Sequence, residues 1–164
     1  MMNRLWFVAI AALAAASSAV ADTHFTRHAR NNPKVAIALG YLDTVWNQHK
    51  PVEGFAKYVA PDEVHHPGKP GEHDPVALAR FLEKFPQFKY EFKHVYVDGD
   101  FVIVHSLVTG VPGIGSVISS PQPGVKPQPK VGDEVVDIFR IRNGRIVEQW
   151  DTVEPIGGSA EGIF

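Results

Sequence analysis

The sequence predicts an α+β fold: three helices, then long strands forming one strongly curved antiparallel sheet whose face the helices cover. Three observations carry this. Apolar residues recur at helical spacing between residues 33 and 85. From 88 to 153 they recur with period two. Two tight-turn signals, Asp98-Gly99-Asp100 and Asn143-Gly144, cut that second half into hairpins. Helices segregated ahead of strands define the α+β class, because each element needs a partner for its apolar stripe.

Residues 1–21 stand outside this pattern and read as a signal peptide. Arg4 gives a positive start, residues 5–16 are an apolar, alanine-rich run, and Ala19-Val20-Ala21 is the small-x-small pattern that signal peptidase reads. The run is short for a transmembrane helix, which needs about 20 residues. Export to the periplasm or medium is the expectation, with cleavage after Ala21 and no membrane attachment afterwards; the other reading is an uncleaved anchor. Residues 22–31 form an N-terminal arm. The main domain is expected over 32–155.

Asn32 is placed to cap a helix with Pro33 at its first position, followed by Val35, Leu39, Leu42 and Trp46 at helical spacing to about His49. Pro51 begins a second, short helix over 51–59, with Val52, Phe55 and Val59 on one face. Residues 63–66 are a short extended piece before the turn-forming run 67–71. Asp74-Pro75 repeats the cap-then-proline start for a third helix carrying Leu78, Phe81, Leu82 and Phe85. Strands are expected over 88–97, 101–109, 131–142 and 145–153. Residues 111–130 hold five prolines and three glycines and read as a loop beside the sheet. Residues 156–164 read as a flexible tail.

Composition narrows the function classes. The 164 residues carry a formal charge of −2, which gives no basic footprint for nucleic acid. The absence of cysteine removes disulfides, thiolate catalysis and zinc-thiolate sites. No P-loop, dinucleotide fingerprint, Ser-His-Asp order or zinc-protease helix is present.

The stretch Trp46-Asn47-Gln48-His49-Lys50-Pro51, the piece Val64-His65-His66-Pro67, and above all Val135-Val136-Asp137-Ile138-Phe139-Arg140-Ile141-Arg142-Asn143-Gly144-Arg145-Ile146-Val147-Glu148-Gln149-Trp150-Asp151 resemble the SnoaL-like branch of the nuclear-transport-factor-2-like superfamily. The resemblance spans residues 32–155. It implies a cone-shaped sheet wrapped against the helices, a pocket inside the cone, and a homodimer. It also implies chemistry of the polyketide-cyclase kind, in which a pocket aspartate acts as general base for an aldol closure with no metal or cofactor.

Strand alternation selects the candidate residues. Val135, Asp137, Phe139 and Ile141 share one face of their strand, so Asp137 is a carboxylate in an apolar row. Burial there would raise its pKa and suit it as a base; the other reading pairs it with a nearby arginine or puts it near a solvated strand end. His105 shares a face with Phe101, Ile103 and Leu107 and reads either as a donor to a substrate carbonyl or as a satisfied core histidine. His65 and His66 are adjacent in an extended piece, so one at most faces the pocket. The resemblance favours His66 and leaves His65 at the surface. His73 reads as exposed or capping. Trp150, Phe139 and Tyr41 are candidate pocket walls, and Asp151 is a second candidate acid that could instead pair with Arg140 or Arg142.

Three functions fit this set. One is a cyclase, isomerase or dehydratase in which Asp137 abstracts a proton alpha to a carbonyl while His66 or His105 polarises the oxygen. Another is a non-catalytic periplasmic binder of a small apolar, carbonyl-containing ligand. The third is a metal site built from His66, His105 and a carboxylate, for which no local ligand spacing speaks.

Overall fold

A computed structural model describes residues 23–66, 74–111 and 130–164. The signal-peptide expectation, the turn 67–71, His73 and nearly all of the loop 111–130 lie outside the described residues. The elements run β1 (His24–Phe25), α1 (Pro33–Leu42), a π-helical turn (Asp43–Asn47), α2 (Pro51–Tyr58), β2 (Val59–His66), α3 (Pro75–Lys84), β3 (Lys89–Asp98), β4 (Phe101–Thr109), β5 (Lys130–Arg142) and β6 (Arg145–Gly157). The six strands form one curled sheet in the order β1-β3-β4-β5-β6-β2.

Local chemistry sets the element starts and the hairpins. The Asn32 side chain accepts a hydrogen bond from the Lys34 amide at 2.9 Å, and Asp74 accepts one from Val76 at 2.8 Å, each just ahead of a proline. These caps satisfy amide donors that have no partner within the helix. Asn143 and Gly144 both take positive φ, 51° and 75°, as a two-residue turn matching the twist of β5 and β6 requires.

The four central strands are antiparallel, as alternation and turn signals indicate. The two edge strands, β1 and β2, pair in parallel with β3 and β6 respectively, so the sheet is mixed. β1 comes from the arm, which docks Thr23 and Ala29 into buried positions. β2 begins at Val59, earlier than the extended piece read from the sequence, because Val59 pairs with Ile146 before a register shift ahead of Val64. β6 runs on to Gly157, and the tail beyond it places the Phe164 ring 4.8 Å from that of His105.

Among the bulges, two shift side-chain parity in the middle of the sheet. On β3, Phe92 pairs with Ser106 but His94 with His105, leaving Lys93 as the extra residue. On β6, Glu148 pairs with Arg140 but Ile146 with Ile141, leaving Val147 as the extra residue. Bulges of this kind bend a strand and sharpen its twist, which helps the sheet curl. The concave side carries the core: Phe92, Val95, Val102, Val104, Phe139, Ile141 and Ile146 pack against Val35, Leu39, Leu42 and Val45. Among the described residues no helix is long and apolar enough to cross a membrane.

The outer face carries a row of imidazoles. His94 lies between His24 of β1 and His105 of β4, with ring centroids 5.4 and 5.8 Å away. Burial, then the charges of His105 and His24, push the His94 pKa down. Unfolded, this histidine titrates near its ordinary value of about 6.5, so as pH falls through that value the unfolded chain takes up more protons and stability is lost. His94 should therefore lower the urea midpoint as pH falls from about 7 to 5, so the midpoint of His94→Gln should gain on that of the native protein over that range. Superimposable pH profiles for the two proteins would contradict this.

Candidate functional site

A cavity of about 220 Å³ opens on the concave side of the sheet. Its floor comes from β5 and β6. Asp133, Val135 and Asp137 project inward from β5, and Gln149, Asp151 and Val153 from β6. Asp137 and Asp151 are direct cross-strand partners, so both carboxylates start from one row of the sheet.

The wall is aromatic. Trp46 stacks on Phe88 at 5.1 Å and on Tyr90 at 5.6 Å, and Tyr41 meets Phe55 edge-on at 5.5 Å. Trp46 sits in the π-helical turn, where the Gln48 amide bonds to the Asp43 carbonyl five residues back, at 2.9 Å. The extra residue in that turn breaks the single helix expected to His49. Such a turn rotates the side chains that follow it and recurs at functional sites. Asn47 fixes the turn to the sheet by accepting the Tyr90 amide at 2.8 Å, and His49 closes it in a left-handed conformation, φ 55°.

Asp137 is 2% exposed, and its Oδ2 finds no hydrogen-bond donor among the described residues. Burial, then the neighbouring charge of Asp151, raise its pKa well above the carboxylate range. Among the described residues no arginine pairs with it, contrary to the alternative reading: Arg140 bonds Glu148 at 3.1 Å on the outer face, and Arg142 bonds Asp100 at 3.2 Å. The hydroxyls of Tyr41 and Tyr90 are held protonated by burial first and by the charge of Asp137 second. Asp151 is met by His65, whose Nε2 lies 3.1 Å from Asp151 Oδ1.

The cavity thus takes in Asp137, Asp151 and Tyr41 from the candidates read in the sequence. It does not take in His66, His105, Trp150 or Phe139. His66 points to the outer face, stacked on Trp150 at 4.8 Å with its Nε2 3.0 Å from Glu148. The reason is register: on β2, His65 is level with Gln149 and His66 with Trp150, so His65 shares the face of the cavity residues. His105 pairs with Val136, not with Asp137, and its Nε2 lies 2.7 Å from Glu134 on the outer face. Trp150 shares that outer face with Glu148 but not with Ile146, because the Val147 bulge separates them. Phe139 is fully buried behind the cavity, where its ring supports Tyr41 edge-on at 5.8 Å. A metal triad of His66, His105 and a carboxylate is not assembled, since β5 and β6 lie between the two histidine strands.

Sequence reasoning missed His65, Tyr90, Gln149 and Asp133, and placed Trp46 only on the apolar stripe of the first helix. Two of them had a readable signal. Asp133 shares parity with Asp137, and Gln149 with Asp151, so each follows once its neighbour's face is known.

Residues 38–149 match the SnoaL-like domain family. No functionally curated protein matches the chain in sequence. Among solved structures, a candidate polyketide cyclase from Bacillus cereus is 20% identical at TM-score 0.54, covering 74% of each chain. AclR, a candidate hydroxylase from Streptomyces galilaeus, is 26% identical at TM-score 0.54, covering 74% of this chain and 78% of that one. A candidate SnoaL-like polyketide cyclase from Jannaschia is 22% identical at TM-score 0.53, covering 74% of this chain and 85% of that one. These similarities carry the fold, a cone-shaped α+β sheet wrapped on helices, and with the match over most of the domain they place this chain in the SnoaL-like family.

Proposed function

We propose that the protein is a small-molecule enzyme of the cyclase or isomerase type, in which Asp137 takes a proton alpha to a carbonyl. The observation that carries the reading is a buried carboxylate with an unpaired oxygen facing an aromatic-walled cavity, opposite a second carboxylate. An unpaired buried polar atom is costly unless a ligand or a reaction uses it. Burial raises its proton affinity, and a base that must take a proton from carbon gains from that. His65, held by Asp151, replaces His66 and His105 as the imidazole within reach of a carbonyl oxygen in the cavity. The candidate polyketide cyclases among the structural neighbours are in keeping with the same class of chemistry.

Exchange at carbon tests this without the true substrate. In D₂O the protein should speed deuterium incorporation alpha to the carbonyl of a small ring ketone, read by proton NMR. Binding of the ketone with exchange no faster than in buffer would sink the catalytic reading and leave the binder.

The proposal includes export, supported by Arg4, the apolar run 5–16 and Ala19-Val20-Ala21. Protein recovered from the native host's periplasm or medium should have an intact mass lacking residues 1–21. A full-length mass in the cytosol would refute it.

A further inference from the structure

We infer that the cavity selects a compact, planar ketone of one ring without negative charge, and excludes both fused four-ring ketones and ring ketones that carry a carboxylate. This rests on the reading of the cavity as a site for a carbonyl compound and adds its size and charge class.

Size follows from where the chemistry must sit. Asp137 is 2% exposed, so a carbon that gives it a proton must lie inside the cavity, and the ring bearing that carbon must lie there too. A cavity of about 150 Å³ holds one benzene ring. On that scale about 220 Å³ holds one ring with a short carbonyl arm, and a fused four-ring skeleton does not fit.

Shape follows from the wall. Trp46 lies nearly parallel to both Phe88 and Tyr90, at 26° and 20°, and Tyr41 and Phe55 stand close by. Aromatic faces of this kind favour a flat ring stacked with an offset or met edge-on.

Charge follows from the lining. Asp133, Asp137 and Asp151 line the cavity, and among the described lining residues there is neither lysine nor arginine. The one basic side chain there, His65, already faces Asp151 at 3.1 Å. A ligand carboxylate would leave water for a lining rich in carboxyl groups and find no cation reserved for it. A neutral ketone brings no such cost.

Isothermal titration of the whole protein at neutral pH tests the three limits with four probes: acetophenone, 4-acetylbenzamide, 4-acetylbenzoate and benzanthrone, a ketone of four fused rings. Acetophenone and 4-acetylbenzamide should bind within a few-fold of each other. The benzoate, nearly the same shape as the benzamide, should bind at least tenfold more weakly, and benzanthrone should not bind. Benzoate binding equal to benzamide binding would overturn the charge limit. Benzanthrone binding as tight as that of acetophenone would overturn the size limit, and no binding by acetophenone would overturn the inference as a whole. These outcomes are independent of turnover: the predicted order of binding with no deuterium exchange would leave this inference standing while refuting the catalytic one.

Discussion

Asp137→Asn should cut the rate of exchange alpha to the carbonyl by about 10²-fold or more, the usual worth of a positioned base, while ketone binding changes less than about threefold. Asparagine keeps the shape of the side chain and removes only its ability to take a proton. In the native protein the rate should fall as pH drops through the raised Asp137 pKa, well above the range where an ordinary carboxylate titrates. The same substitution should stabilise the fold. A carboxyl with a raised pKa binds more protons folded than unfolded, so its contribution weakens the fold once pH exceeds the unfolded value of about 3.9. Asp137→Asn should therefore raise Tm at neutral pH and flatten the fall in stability above about pH 4, with roughly 2–4 °C gained per kcal/mol relieved. Loss of activity together with loss of stability would instead mark Asp137 as a structural residue.

Phe139→Ala should destabilise the protein by about 3–5 kcal/mol in urea unfolding, the range for emptying a buried aromatic site. The ring is fully buried and meets Tyr41 edge-on at 5.8 Å, so its loss leaves a void directly behind the cavity wall. Phe139→Leu refills most of that space and should cost less than about 1.5 kcal/mol. Ketone affinity should follow the same order, because Tyr41 loses its backing in the alanine variant. A cost below about 1 kcal/mol for alanine would show that the core collapses to fill the gap.

Part of the site was legible because one strand carries it without interruption. From Asp133 to Ile141, β5 pairs regularly with β4 at least as far as Arg140, so alternation alone assigns Asp137 to the face of Val135 and Phe139. The helix starts were legible for a similar reason: Asn32-Pro33 and Asp74-Pro75 act through bonds that span two residues.

His65 was not legible. Its face depends on which residue of β6 lies beside it, and β2 reaches that neighbour only after the chain has passed through α3 and three strands. His105 fell to the same cause. Its own strand gives two faces, and only the pairing with Val136 shows which one turns outward. Trp150 was misplaced by the Val147 bulge, which reverses parity within one strand between Ile146 and Glu148.

The sequence by itself determined the class of the fold, the caps and turns that start its helices and hairpins, and the apolar row that holds Asp137. All of these are set by interactions between residues near in sequence or by a strictly local alternation. Only the tertiary structure decided that β1 and β2 close the edges in parallel, that Trp46 swings into the cavity through a π-helical turn, and that His65 rather than His66 or His105 joins the carboxylates. Each of those outcomes depends on register against a distant strand or on packing against the sheet, and a single extra residue is enough to reverse which face of a strand is buried.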